Sequence, residues 1–250
     1  MFRAIIHMIR HDGDPACMAF DGKVLPDVDT YLEFTDRPDA PIGTRTVDKV
    51  KQQPRPRFYA THLGYEAVPK SILEKAKIIY VAGNPKDVIV STYFFFSSLK
   101  PFAFSGTLED IAMSYINDKA PYTPFHKHVA SFWKHRDRDN ILFLTYEDTL
   151  MNCRATIDHV AKFLGKNLTD EQLDNIVSLC SFDSMRKNKK VNKTTHAQLD
   201  HSASPFIRSG TYGNWKKHFT IELNEAVDRW IKKEEHKVAS DLEGFRFRCE

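Results

Sequence analysis

The chain has 250 residues, and its 36 Lys and Arg against 33 Asp and Glu give a formal net charge of only +3 at pH 7. This balance argues against a protein that coats nucleic acid or binds a membrane surface through charge, although a local cluster could still hold a small anion. No apolar run approaches the roughly 18 residues of a membrane span, and charge occurs too early in the N-terminal segment for a secretory signal. We therefore expect a single domain over residues 1–250, located in the cytosol.

The sequence contains four cysteines without paired spacing, namely Cys17, Cys153, Cys180 and Cys249. Zinc sites and disulfide frameworks are both recognised by paired or regularly spaced cysteines, so neither is predicted. Reduced thiols are typical of the cytosol. We accordingly expect four free thiols and no metal.

Three short apolar runs, each followed by a helical pattern, are predicted as buried strands at residues 58–60, 78–82 and 141–145. Helical periodicity covers residues 68–76, 88–99 and 125–135, and then residues 154–164, 170–180 and 223–235. Strands that alternate with helices are typical of an α/β fold, in which helices flank a parallel sheet. Ligands of such sheets bind beyond the carboxyl ends of the strands, so the residues just after each strand are candidates for a functional site.

His62 follows the first predicted strand, where a side chain would enter the ligand crevice. The pKa of histidine lies near neutrality in the absence of perturbation, which suits a general base. A structural histidine, one of 11 in the chain, explains the same residue equally simply.

After the second predicted strand, residues 84–87 open a helix with Pro85 near its first position and Ser91 one turn further on. The unpaired N–H groups and the positive end of the helix dipole attract phosphate, and Ser91 adds a hydroxyl donor. An ordinary capped helix is the alternative interpretation.

The segment 206–215 reads FIRSGTYGNW and offers an arginine, a hydroxyl and two glycines in a predicted loop. A guanidinium beside exposed backbone N–H groups is a suitable partner for a phosphate monoester. A turn that leads into a helix would also explain this composition.

Each of these features is weak alone, but their order and spacing resemble the cytosolic sulfotransferase family. The matching stretches are DGD at 12–14, THL at 61–63, YVAGNPKDVIVS at 80–91, LTYED at 144–148, SFDSM at 181–185 and FIRSGTYGNW at 206–215. The resemblance implies a three-layer α/β fold of the P-loop nucleotide-kinase type. It also implies an enzyme that transfers a sulfuryl group from 3′-phosphoadenosine 5′-phosphosulfate to a hydroxyl or amine of a small apolar acceptor, without a metal.

The resemblance also assigns roles to individual residues. It implies that His62 is the base that deprotonates the acceptor. The residues that match the family's donor-binding positions are Ser91, Tyr146, Phe182, Arg208, Ser209 and Gly210. Those that match an apolar acceptor pocket are Tyr31, Phe34 and Phe95, for which a place in the ordinary core is the alternative.

A further match concerns assembly. The residues Lys216, Thr220, Ile221 and Glu225 reproduce the family's dimerisation sequence KxxxTVxxxE, with isoleucine in place of valine. The resemblance therefore implies a homodimer. The alternative is an exposed helix start with spaced charges.

The chain departs from the family pattern at its start and at three cationic positions. Residues 2–6 match the helix that follows the family's YPKSGTTW-type loop, so we expect the first strand and this 5′-phosphosulfate-binding loop to be missing. Ala60 and Gly83 stand where the family has lysine and arginine, and Ser209 replaces a lysine. Each lost charged contact to phosphate costs about 1.5–3 kcal/mol, so we expect this chain to show no saturable binding of the donor.

The first hypothesis is a sulfotransferase whose chain is incomplete and inactive in this form, and two others compete with it. One is a non-catalytic relative that binds a small ligand or pairs with an intact partner subunit. The other is an unrelated nucleotide kinase, which is disfavoured because the sequence contains no GxxxxGK[ST] motif.

Overall fold

A computed structural model of the chain describes residues 1–22, 25, 31–33 and 50–249. Its sheet consists, within these residues, of the parallel strands β1 (Ile78–Ala82) and β2 (Ile141–Thr145), which pair in register from Ile78 with Ile141 to Ala82 with Thr145. The α-helices that lie wholly within the described residues are α1 (Phe2–Arg10), α2 (Lys70–Lys75), α3 (Pro85–Ser98), α4 (Leu108–Ile116), α5 (Phe125–Trp133), α6 (Tyr146–Met151), α7 (Cys153–Phe163), α8 (Asp170–Leu179), α9 (Phe182–Lys187) and α10 (Ile221–Lys237). None of the described helices is both long and apolar enough to cross a membrane.

The sheet is covered by helices on both faces, as the alternation of side chains along its strands requires. On one face, Ile79 and Leu144 pack into a core that α1, α7 and α8 supply. On the other face, Tyr80 and Phe143 pack against Phe132 of α5 and its neighbours. This arrangement confirms the predicted three-layer α/β fold.

Two of the three predicted strands are confirmed, whereas the prediction for residues 58–60 was wrong. There, Ala60 forms only an isolated parallel bridge with Tyr31, and Phe58 packs against the core around α1. Pro54 and Pro56 stand just before this run and cannot donate hydrogen bonds to a neighbouring strand. The apolar character of the run therefore comes from contact with a helix rather than from a place in the sheet.

Helix α3 starts where the sequence predicts. Pro85 occupies its first turn, and the Asn84 side chain caps it by accepting a hydrogen bond from the backbone N–H of Lys86 at 2.8 Å. Residues four apart share a helix face, so Asp87 and Ser91 lie one above the other. Phe94 continues this stripe one turn further on, and the stripe positions the second half of the candidate site.

Candidate active site

His62 is held by Glu33, which sequence reasoning did not identify. A single oxygen, Oε1 of Glu33, lies 2.6 Å from Nδ1 of His62 and accepts a hydrogen bond from its backbone N–H at 2.8 Å. An ionised carboxylate can only accept hydrogen bonds, so the imidazole proton lies on Nδ1 and the lone pair on Nε2. Burial would raise the pKa of Glu33, but hydrogen bonds from its own backbone, from His62 and from Thr61 together lower it. Glu33 is therefore charged at neutral pH and sets the tautomer of His62.

Two tyrosines enclose the His62 ring. Tyr31 stacks on one side at 4.8 Å between ring centroids, and Tyr122 stacks at 4.6 Å. Tyr122 has a φ of 64°, in the left-handed region that bulky residues rarely adopt. Such strain persists only where the surroundings hold it, and it is frequent at functional sites. The stacking restricts rotation of the imidazole and leaves 40% of the His62 side chain exposed.

The backbone of His62 is anchored to the sheet through His128. Nε2 of His128 lies 2.8 Å from the His62 carbonyl oxygen and must donate to it, while Nδ1 accepts from the Tyr80 hydroxyl at 2.9 Å. Burial lowers the pKa of His128, which favours this neutral form. Because Tyr80 belongs to β1, the candidate base is held at a defined distance from the centre of the fold.

A cavity of about 290 Å³ opens beside His62. Its lining also includes Tyr122, Lys127, His128 and Ser131. The volume is close to the lower end of the range for small-molecule pockets. The described lining contains both apolar and polar side chains, and its surface is mainly apolar.

The second half of the candidate site forms where the segment 206–215 lies along α3. Asp87, in the first turn of α3, accepts hydrogen bonds from the backbone N–H groups of Gly213 at 2.6 Å and Trp215 at 2.9 Å. Further along the helix, Phe206 contacts Phe95 at 6.5 Å between centroids. The loop therefore runs antiparallel to α3 and is fixed at both ends.

Arg208 lies in the middle of this loop. Its guanidinium carbon is 4.3 Å from the Phe94 ring centroid. With the Asn214 amide turned so that its oxygen faces the guanidinium, this oxygen accepts from Nη1 at 2.8 Å and from Nη2 at 3.2 Å. Burial lowers the pKa of Arg208, whereas Asp87 and Tyr146 act in the opposite direction. No carboxylate in the described part of the chain forms an ion pair with Arg208. A half-buried guanidinium without a counter-ion is a natural place for an anion.

Gly210 and Phe182 are in direct contact. A Cβ atom added at Gly210 would lie 2.5 Å from Cβ and Cγ of Phe182, so no other residue fits without displacing the aromatic ring. This contact brings the loop backbone beside the first residue of α9. It is the kind of close approach for which glycine is needed.

The structure brings together most of the predicted donor-binding residues. Ser91 is exposed on α3 one turn from both Asp87 and Phe94, on the face along which the loop runs. The Ser209 hydroxyl lies 3.1 Å from that of Thr211.

Tyr146 follows β2 and lies near Arg208. Burial and two carboxylates raise the pKa of Tyr146, and Arg208 opposes this only in part. The position expected to hold a cation, Gly83, instead lies near the buried carboxylate of Glu147.

The predicted acceptor residues are only partly brought together. Tyr31 contacts His62 directly, as described above, whereas the ring contacts of Phe95 within the described residues are with Phe96 and Phe206. Phe34 lies outside the described residues. Sequence reasoning missed Glu33, Tyr122 and His128, because the sequence carries no local signal for contacts between residues that are dozens of positions apart.

Comparison with known proteins places this geometry in a family. Residues 1–239 match the family model described as "Sulfotransferase domain". Sulfotransferase 1A1 of Rattus norvegicus is 37% identical over 223 residues, which cover 88% of this chain and 74% of that protein. Sulfotransferase 1C2 of Homo sapiens is likewise 37% identical over 228 residues, covering 90% of this chain and 75% of that protein.

A solved structure shows the same fold. It is retinol dehydratase in complex with androsterone and the inactive cofactor PAP, with a TM-score of 0.74 and 28% identity over 82% of this chain and 60% of that one. These matches confirm the resemblance of the sequence motifs. The chain therefore belongs to the sulfotransferase family, alongside the sulfotransferase 1 enzymes, and is an enzyme of the transferase class.

Proposed function

We propose that this protein transfers a sulfuryl group from 3′-phosphoadenosine 5′-phosphosulfate to a hydroxyl or amine of a small acceptor, with His62 as the general base. The observation that carries the proposal is the placement of Nδ1 of His62 against the Glu33 carboxylate. This contact leaves Nε2 as the basic atom of a ring that two tyrosines hold in position. Such an arrangement matches the requirement that a base be oriented before it accepts a proton.

In the proposed reaction, His62 removes the proton from the acceptor through Nε2. The donor, when bound, supplies the sulfuryl group, and its phosphate leaves with the electron pair of the broken S–O bond as the acceptor atom bonds to sulfur. Glu33 stabilises the positive charge that His62 gains. The stacked tyrosines, Tyr31 and Tyr122, keep Nε2 directed at the acceptor during the transfer.

We propose that the 3′-phosphate of the donor binds between α3 and the segment 206–215. Arg208 supplies the charge, and the hydroxyls of Ser91 and Ser209 with the backbone around Gly210 supply hydrogen bonds. Phe182 and Tyr146 would lie beside the adenine. A guanidinium that forms no direct ion pair within the described residues and the Gly210–Phe182 contact both fit a phosphate held close to a backbone.

For the acceptor, we propose a site at His62 with Tyr31 as one wall. The mainly apolar surface of the adjoining cavity favours a small apolar acceptor. Retinol dehydratase, whose structure resembles this chain, was solved with androsterone, which supports a small organic acceptor here. Phe34 and Phe95 remain predicted contributors to this pocket.

The donor site can be tested by calorimetry with 3′,5′-adenosine bisphosphate. The missing cations predicted no saturable binding, but the placement of Arg208 on the loop that also carries Gly210 leads us to expect it. Arg208→Ala should weaken this binding about 10- to 100-fold, because a charged hydrogen bond to phosphate is worth about 1.5–3 kcal/mol. The matched control is Arg229→Ala on the exposed face of α10, which should bind as the unchanged chain does. Equal affinity of the Arg208→Ala variant would refute the proposed phosphate site.

A turnover assay separates the enzyme from a non-catalytic relative. The chain is incubated with the sulfated donor and a panel of phenols, sterols, aliphatic alcohols and arylamines, and release of the bisphosphate is measured. Binding of the bisphosphate without release in the presence of any acceptor would favour the non-catalytic alternative.

We also propose a homodimer through the segment that begins α10. The side chains of Lys216, Thr220, Ile221 and Glu225 are all exposed, and Ile221 is 75% exposed. Thr220 caps α10 by accepting a hydrogen bond from the backbone N–H of Leu223 at 3.1 Å, which defines the start of the helix beside Ile221. A single exposed apolar side chain is ordinary on a protein surface, so the proposal is supported by the match of these four residues to the family's dimerisation sequence.

The dimer can be tested by light scattering during size-exclusion chromatography. We expect the mass of a dimer for the unchanged chain and of a monomer for Ile221→Asp, because a buried carboxylate is strongly disfavoured. Met113→Asp, at an exposed apolar position of α4, is the control and should remain dimeric. A dimer that survives Ile221→Asp would show that the interface lies elsewhere.

A further inference from the structure

The first turn after α1 assembles a group of metal-binding side chains away from His62. His7 lies in the last turn of α1, His11 directly follows this helix, and their ring centroids are 4.4 Å from each other. Cys17 lies in a 3₁₀ helix, Pro15–Met18, that folds back against α1. One ligand atom from each of His7, His11 and Cys17 lies within 4.8 Å of the others. No paired cysteine spacing in the sequence indicates this cluster.

The turn that creates the cluster is fixed by the backbone and by packing. Asp12 and Gly13 both have positive φ, at 52° and 71°, and the Gly13 N–H donates to the Met8 carbonyl at 2.9 Å. A Cβ atom at Gly13 would lie 2.8 Å from Gln172 of α8, so the turn is pressed against that helix. Lys166 also pairs with Asp12 at 2.7 Å. Three interactions therefore stabilise the chain reversal that brings Cys17 to α1: a backbone hydrogen bond, packing against α8 and an ion pair.

The donor atoms suit a borderline or soft cation. Two imidazoles and a thiol are the ligands that zinc prefers, and histidines spaced four apart on a helix are a recurrent zinc pair. Nδ1 of His11 donates to the His7 carbonyl at 2.8 Å, which leaves its Nε2 with the lone pair. His11 is exposed and Cys17 is partly exposed, so the cluster is accessible from solvent.

We propose that His7, His11 and Cys17 form a zinc site that fastens the 3₁₀ helix to α1. Zinc bonds of about 2.0–2.3 Å place neighbouring ligand atoms roughly 3.3–3.7 Å apart. The three ligand atoms lie up to 4.8 Å from one another, so side-chain rotations must bring them about 1 Å closer. Water completes a tetrahedral shell on the exposed side. The site stabilises the fold because α1 packs into the core with α7 and α8.

The site is tested with the full chain, without an affinity tag, titrated with Co²⁺ as a spectroscopic substitute and with Zn²⁺ in competition. We expect one ion per chain, the intense visible bands of tetrahedral Co²⁺ and a thiolate-to-cobalt charge-transfer band, all displaced by Zn²⁺. Zinc should also raise the midpoint of thermal unfolding.

Variants identify the ligands. Cys17→Ser should lose the charge-transfer band, and His11→Gln, at an exposed position, should lower zinc affinity at least about 10-fold. The matched controls are Cys249→Ser and the exposed His159→Gln, which should bind as the unchanged chain does. Absence of the charge-transfer band in the unchanged chain, or its persistence in Cys17→Ser, would overturn the proposal, as would undiminished zinc affinity in His11→Gln.

Discussion

Replacing His62 with alanine is expected to lower sulfuryl transfer by about 10²–10⁴-fold, the usual contribution of a positioned general base. The affinity for 3′,5′-adenosine bisphosphate should not change, because the proposed phosphate site is built from α3 and the segment 206–215. Turnover at saturating donor and calorimetry of the bisphosphate measure the two effects separately. A selective loss of turnover would assign the proton transfer to His62.

The role of Glu33 can be separated from that of His62. Glu33→Gln keeps a hydrogen-bonding oxygen but removes the charge that stabilises the protonated imidazole. We therefore expect a turnover between that of the unchanged chain and that of His62→Ala. His159→Ala, at an exposed position on α7, controls for nonspecific effects of losing a histidine.

For the His62 prediction itself, undiminished turnover of the His62→Ala variant would contradict the assignment of the base.

Stability is expected to fall by up to about 3 kcal/mol between pH 6.5 and pH 4 because of a second histidine, His126. His126 is 1% exposed, and neither of its ring nitrogens has a hydrogen-bond partner in the described part of the structure. Burial among aromatic rings lowers its pKa to about 4, and the nearby Glu234 opposes this only in part. Trp230, whose ring lies 4.9 Å away, is among those neighbours.

The sign of this effect follows from proton binding. The unfolded chain protonates His126 below about pH 6.5, whereas the folded chain does so only near pH 4. Between these values the unfolded state binds more protons, so the free energy of unfolding decreases as the pH falls. Above pH 6.5, both states are neutral at this position and the contribution vanishes.

Denaturant unfolding at several pH values measures the effect, since other groups also titrate in this range. The difference in free energy of unfolding between the unchanged chain and His126→Leu should vary with pH by the expected amount. The exposed His236→Gln serves as the matched control and should follow the unchanged chain. Identical pH dependence of the free energy of unfolding for the unchanged chain and His126→Leu would show that folding does not lower the proton affinity of His126.

Much of the fold could be predicted because its signals are local. The runs at 78–82 and 141–145 are apolar over five residues and form β1 and β2, and Asn84 and Pro85 mark the start of α3 through capping. At residues 58–60, apolar character alone led to the prediction of a strand, but these residues pack against a helix instead. Periodicity reports that a residue is buried but does not report what buries it.

By itself, the sequence determined the family, the strands β1 and β2, and the chemical identity of the predicted base and phosphate ligands, since His62, Arg208 and Gly210 stand within contiguous motifs. Only the tertiary structure decided that Glu33 orients His62 across 29 positions of sequence, and that the ring of Tyr122 stacks on the imidazole. The same holds for the cluster of His7, His11 and Cys17, which depends on a backbone reversal. Motifs encode what is near along the chain, whereas contacts between distant segments depend on how the helices pack against the sheet.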